Sequence, residues 1–275
     1  MAKKKTKEEK EMSFLDHLEV LRWTLVRSTL AVLVMSSIAF LMKSFIFDVI
    51  IFLPKDPQFI TYRFLCNLSE KLGTNGLCIE EIPFIVQSRT MAGQFSAHIW
   101  TSITVGFIAA FPFILWEIWK FIKPALYVKE RKHARSFIII SSLLFFLGVL
   151  FGYFLITPLS INFLGSYRVS MQVENNTDIS SYIGLLRASV LAAGLIFEMP
   201  VIIYFLAKMG IVTPEFLRKY RKYAIVVLLL LAAIITPPDV VSQFIVAIPM
   251  AILYEVSIII ASVMARKARK RAAKV

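Results

Sequence analysis

The sequence predicts an all-α, polytopic membrane protein with six transmembrane helices, both termini in the cytoplasm, and spans five and six short. Three observations predict it. Of 275 residues, 58% are hydrophobic and only 18% are charged, against roughly 25% charged in soluble domains. Long apolar stretches recur along the chain, and mean hydropathy is +0.72. The basic residues gather in the segments that six crossings place on one side. A soluble domain of this size could not cover so much apolar side chain. The net charge of +13 therefore does not read as a nucleic-acid surface. The composition excludes disorder, collagen and coiled coil.

Residues 1–22 read as a basic cytoplasmic tail and the amphipathic start of the first helix. The tail has no signal-peptide pattern, and the apolar stretch after it has no small-residue cleavage site, so the first span is expected to be retained. Residues 23–264 form one six-span domain and 265–275 a second basic tail. A hydrocarbon core of ~30 Å needs about 20 helical residues. Stretches nearly free of charge run over 23–42, 95–116, 136–158, 183–207, 223–236 and 240–264. The third stays apolar to Tyr167, beyond one membrane thickness. Pro237-Pro238-Asp239 divides the last two, because proline lacks the amide donor and clashes with the preceding turn. The fifth span then has 14 residues, roughly 21 Å of helix, so the bilayer thins there or protein covers the mismatch.

Charge placement supports six crossings. Of the 31 basic residues, 23 lie in the two tails and in the segments after spans two and four. By the positive-inside bias that side is the cytoplasm. Five spans would put the basic C-terminal tail outside. The long outer loop, 43–94, balances its charges. Within it, 45–53 is apolar enough to lie in the interface as a short helix. Asn67-Leu68-Ser69 is a glycosylation acceptor pattern that matters only in a eukaryotic secretory context. Cys66 and Cys78 lie in the same loop and are either oxidised or unpaired and buried.

Chemistry-bearing patterns are few. There is no phosphate-cradling Gly-rich loop, no Ser-His-Asp arrangement and no His-Glu-x-x-His. His17, His98 and His133 are scattered. No enzyme, metal site or cofactor is expected. Two carboxylates stand out. Glu198 lies in span four between Phe197 and Met199-Pro200, and Glu255 lies in span six after Tyr254. A charge at bilayer depth costs about 2.5–3.5 kcal/mol, so each should face protein or water. Each either serves a substrate, partner helix or proton, or is a hydrogen-bonded packing residue. The segment 121–131 follows Trp116-Glu117-Ile118-Trp119, an aromatic interface anchor. Within it Glu130 stands between Lys129 and Arg131, as a local ion pair or as a carboxylate held for a cationic ligand.

Four motifs make the chain resemble the TatC family, the multi-span receptor subunit of the twin-arginine protein translocase. They are 121–131, Phe197-Glu198-Met199-Pro200, Thr236-Pro237-Pro238-Asp239 with Ser242-Gln243, and His17-Leu18-Glu19-Val20-Leu21-Arg22. The last departs from the family. Val20 and Thr24 stand where members usually carry a glutamate and a second arginine, and Glu19 is one place early, ~100° round a helix. The outer loop is also longer than in the commonest members.

The resemblance implies a bacterial inner-membrane receptor that binds twin-arginine signal peptides of folded cargo at the cytoplasmic face. It implies assembly with single-span partner subunits of the TatA and TatB type, and export driven by the proton motive force. Phe121 and Glu130, with Glu19, match signal-binding positions. Glu198, and with it Glu255, would form the intramembrane polar site. Glu198 is expected to face a water-accessible concavity beside the short fifth span. Thr236 and Gln243 match partner-helix contacts around the structural turn at Pro237, Pro238 and Asp239. Guanidinium pairs with carboxylate through two parallel bonds and lysine imitates this poorly. On so basic a face, Glu19, Glu117 and Glu130 would supply local negative wells. Lipid and further copies of the chain are the other expected partners, and nucleic acid is not one. The competing reading is a proton-coupled small-molecule transporter with Glu198 and Glu255 as its relay. That class is usually built on internal repeats, and the chain has none.

Overall fold

The computed structural model describes residues 14–71, 73, 78, 84–122, 134–170, 172–173, 175–236 and 240–272. Helix α1 (Phe14–Leu41) leads into a π-helical segment (Phe45–Ile51), a single 3-10 turn (Leu53–Lys55) and α2 (Ile60–Lys71). A short strand β1 (Ile85–Gln87) precedes α3 (Gly93–Ile122). Then come α4 (Ala134–Phe151), a π-helical stretch (Gly152–Ile156) and α5 (Thr157–Ser166). Strand β2 (Asn176–Asp178) leads into α6 (Ile179–Phe197) and α7 (Met199–Lys208). The chain ends with α8 (Pro214–Lys219), α9 (Arg221–Ile235) and α10 (Val240–Ala272).

Among the described residues, five helical segments are long and apolar enough to cross a bilayer: Leu18–Leu41, Gly93–Ile122, Ser136–Ser166, Ile179–Lys208 and Ser242–Lys267. The expected fifth span is α9, at 15 residues only about 22 Å long. The last helix departs from expectation. Span six is expected to be short, but α10 has 33 residues. Its final stretch, Ala265-Arg266-Lys267-Ala268-Arg269-Lys270-Arg271-Ala272, consists of strong helix formers. The helix therefore runs on past the apolar residues into the basic tail. The third span also continues, through the π segment to Ser166, and so stands beyond one membrane thickness.

Close helix contacts set the packing. A Cβ on Gly106 of α3 would lie 2.5 Å from the Ser36 amide nitrogen of α1. Cβ atoms on Gly148 and Gly152 would come within 2.6 Å and 2.7 Å of the Ala193 and Ser189 carbonyl oxygens of α6. Small residues of this kind let backbones approach where lipid offers no hydrophobic drive between helices. Phe145 fills the layer between α3 and α6, stacked on Phe111 at 3.5 Å and wholly buried.

The described residues of the loop 43–94 form a cap on one end of this bundle. The carbonyls that end its π-helical segment would lack partners in an apolar setting. Tyr153 donates to the Ile50 carbonyl at 2.7 Å and Tyr182 to that of Ile51 at 2.8 Å. Tyr62 of α2 reaches the Pro54 and Pro158 carbonyls, and the Thr61 hydroxyl donates to the Phe154 carbonyl. Cys66 and Cys78 are joined as a disulfide, which resolves the two readings left open by the sequence.

A two-stranded parallel pairing, Ile85 with Asn176 through Gln87 with Asp178, ties this cap to the start of α6. Asp178 completes the tie. Its carboxylate accepts from the amides of Arg89 at 3.0 Å and Ser180 at 2.8 Å, the second capping α6. Those amide bonds, the Arg89 one first, hold its pKa below the usual aspartate value. A lowered folded pKa stabilises the fold above the unfolded pKa, and this is lost as pH falls through the folded value. Asp178→Asn is therefore expected to flatten the fall in thermal stability between pH 5 and pH 2 in detergent. An unchanged pH slope would show that Asp178 does not carry it.

Candidate functional site

Three groups of polar residues stand out against the apolar bundle. The first lies at the end bearing the start of α1 and the end of α3. Because α1 and α3 pack along their length, Glu19, Val20, Trp23, Thr24 and Arg27 face Glu117 and Lys120 across a depression of about 400 Å³. Glu117 is only 1% exposed. One of its oxygens is engaged by Lys120, and the other lies 3.6 Å from the Arg27 guanidinium. One carboxylate between two cations leaves a local excess of positive charge. Glu117 is therefore not the free negative well expected of it. Glu19 is exposed and lies 3.9 Å from Arg22. Phe121, half-buried, stands one turn beyond Glu117 at the end of α3. Glu130 and the rest of the 121–131 motif from Lys123 on lie outside the described residues.

The second group centres on Glu198. It is the joint between α6 and α7, with Pro200 in the first turn of α7. The proline cannot donate to the turn before it, so the helical ladder is interrupted at the glutamate. Glu198 is 7% exposed. Its Oε2 accepts from the Ser141 hydroxyl of α4, while Oε1 is buried without a hydrogen-bond partner. The glycine contacts between α4 and α6 bring Ser141 to this place. Glu198 precedes Lys208 by ten residues, about 15 Å along the helix, and Ser141 is close to the start of α4. The pair therefore sits in the half of the bundle nearer the depression. Among the described residues the surrounding helices shield the carboxyl, and the expected opening to water is not found there.

The third group spans α9 and α10. Thr236 is 4% exposed and donates to the Ala232 carbonyl of its own helix. Gln243 donates to the Leu229 carbonyl at 3.1 Å, tying α10 to α9. Pro237, Pro238 and Asp239 lie outside the described residues. At the other end of these helices Glu255 pairs with Arg221 at 2.6 Å and is 40% exposed at the side chain. The Tyr254 hydroxyl bonds to the Leu217 carbonyl at 2.8 Å. Among the described residues no hydrogen bond joins Glu198 to Glu255, so the structure does not bring these two carboxylates together.

Two features were missed in the sequence. Glu117 reads there as part of an aromatic interface anchor and as a local negative well, and only the α1–α3 contact buries it. Arg187, inside α6, is packed over the Trp100 ring at 5.4 Å, a pairing 87 residues apart in sequence. A possible metal group, Cys66 with Glu70 and Cys78, offers no thiolates because its cysteines are bonded to each other.

Comparison with known proteins gives a consistent result. The family profile of TatC, "Sec-independent protein translocase protein (TatC)", matches residues 16–249. A "Sec-independent protein translocase protein TatC" of a Blattabacterium species is 42% identical over 94% of this chain and 98% of its own length. The protein of the same description from Aquifex aeolicus is 36% identical over 94% and 98%. A crystal structure of a twin-arginine translocase receptor, TatC, superposes with a TM-score of 0.67 at 33% identity, covering 90% of this chain and 99% of that one.

Proposed function

Since the chain belongs to the TatC family and is a multi-pass core subunit of the twin-arginine translocase, we propose that it is the subunit that reads the signal peptide. On this reading it takes twin-arginine peptides of folded cargo at the cytoplasmic face. It then assembles single-span partner subunits for export driven by the proton motive force. Residues 1–22 and 265–275 flank the membrane domain on the cytoplasmic side of a bacterial inner membrane. Phe121 and Glu130, with Glu19 beside them, meet the signal. Glu198 and Gln243 meet the partners' transmembrane helices, while Thr236, buried with its hydroxyl on the Ala232 carbonyl, holds the end of α9 beside them. The chain acts as receptor and assembly platform and not as an enzyme.

The observation that carries the reading is the position of Phe121. It stands at the end of α3, one turn beyond the depression lined by Glu19 and Glu117, and it opens the 121–131 motif. The surrounding face is strongly basic, so a cationic peptide is repelled except where a carboxylate accepts a guanidinium fork. The transporter reading has no comparable support, since Glu255 is held by Arg221 at 2.6 Å.

The test is export in a bacterium lacking its own receptor but keeping the single-span partners. A folded fluorescent reporter behind a twin-arginine signal is expected in the periplasm, and a protonophore should stop its arrival. The same reporter behind a Lys-Lys signal should stay in the cytoplasm. Equal export of both would defeat the proposal.

A further inference from the structure

Arg187 is a cation inside a transmembrane helix that the proposed receptor function does not use. It lies eight residues into α6, about 12 Å from the helix start. A charge there is costly unless paired or drawn to a polar boundary. Among the described residues no carboxylate pairs with it, and its Nε is buried without a hydrogen-bond partner. The guanidinium instead lies over Trp100 at 5.4 Å, an exposed aromatic of the kind found at headgroup level.

Arg187 stands in the wall of a trough of about 450 Å³ that also includes Val49, Thr101, Leu150 and Phe154. The trough lies where the loop cap meets the spans. Val49 belongs to the cap's π-helical segment, and the Phe154 carbonyl receives the Thr61 hydroxyl of α2. With the cap outside the bilayer, a long arginine side chain at that level reaches the headgroups of the leaflet on the loop side. The walls are almost wholly apolar. The Thr104 and Tyr153 hydroxyls are spent on backbone carbonyls. The Thr101 hydroxyl, 1% exposed, has no partner. Two buried donors without a partner, one of them on a cationic side chain, thus lie within the wall of an apolar channel.

The geometry points to a phospholipid site, in which Arg187 holds the phosphate of an outer-leaflet lipid and the trough takes one acyl chain. Guanidinium suits phosphate through paired bonds, and the apolar wall suits a chain, which a free phosphate lacks. With no carboxylate beside Arg187 to meet a headgroup ammonium, phosphatidylglycerol is favoured over phosphatidylethanolamine. The inference is independent of the signal-reading proposal.

The test is native mass spectrometry of the full chain in mild detergent, titrated with phosphatidylglycerol, phosphatidylethanolamine and a diacylglycerol of the same chains. Wild type should retain phosphatidylglycerol best. Arg187→Met should lower that retention roughly tenfold or more, the worth of a charge-assisted bond, and leave diacylglycerol unchanged. Arg187→Lys keeps the charge and loses the fork, so its retention should fall between. Arg168→Gln, which removes another exposed basic residue on the loop side, should retain lipid as wild type does. Equal retention by wild type and Arg187→Met overturns the site. So does stabilisation by inorganic phosphate alone to the extent given by the lipid. A photo-cross-linking residue at Leu150 should label lipid in membranes, and labelling of a partner helix there instead would also overturn it.

Discussion

Replacing Glu198 by alanine is expected to lower the export rate of folded twin-arginine cargo about 3- to 20-fold, with the chain still inserted and still binding signal peptide. The magnitude follows from the chemistry of the position. Glu198 is shielded by its neighbours, and Ser141 satisfies one of its two oxygens. The other oxygen is an acceptor without a partner. An acceptor left unmet in an apolar setting is a demand for a donor. In the proposed assembly a partner helix or the water it brings supplies that donor. Interhelical hydrogen bonds in membranes average ~0.6 kcal/mol with a maximum near ~1.7. At about 1.4 kcal/mol per factor of ten, that range gives the stated loss. Glu198→Gln retains an acceptor for Ser141 and should fall less than alanine. Rates in inverted vesicles, normalised to inserted protein, read both effects. A normal rate for Glu198→Ala would remove Glu198 from the transport step.

Glu130→Gln is expected to weaken binding of a twin-arginine peptide by roughly 10- to 150-fold. Hydrogen bonds to charged groups contribute about 1.5–3 kcal/mol, and a carboxamide cannot accept both arms of a guanidinium fork while carrying charge. The structure sharpens this expectation through Glu117. Of the acids named as local negative wells, Glu19, Glu117 and Glu130, Glu117 is already engaged by Lys120 and Arg27. Glu19 is exposed beside Arg22, and exposed pairs of this kind contribute at most about 1 kcal/mol. Of these three, Glu130 is the carboxylate that the proposal assigns to the peptide. Unaltered affinity of Glu130→Gln would assign the arginines to another acid.

The spans were legible in the sequence because burial in lipid demands long runs without charge, and the basic segments between them fixed their number. The 14-residue fifth span is the 15-residue α9, since the prolines that end it act locally. The extent of α10 was not legible from hydropathy. Its last turns are held by the helix propensity of alanine, lysine and arginine in water, which an apolar window does not register. Of the site residues, Glu198 announced itself as a carboxylate in an apolar run, but its partner Ser141 lies 57 positions away. Glycines at 148, 152 and 194 that bring α4 onto α6 decide that meeting. Glu255 announced itself in the same way and proved to be engaged with Arg221 near a helix end. Hydropathy reports depth along one helix and not what stands opposite. The burial of Glu117, the disulfide of the cap and the setting of Arg187 all depend on such contacts between distant segments.

The central claim is that the cytoplasmic face reads two arginines through guanidinium–carboxylate geometry rather than through positive charge. The direct measurement is equilibrium binding of a labelled signal peptide to the full-length protein in lipid nanodiscs, with the Arg-Arg pair compared against Lys-Lys at the same ionic strength. The account predicts at least tenfold tighter binding of the Arg-Arg peptide, with the preference lost in Glu130→Gln. Equal affinity of the two peptides for the wild-type protein would contradict it.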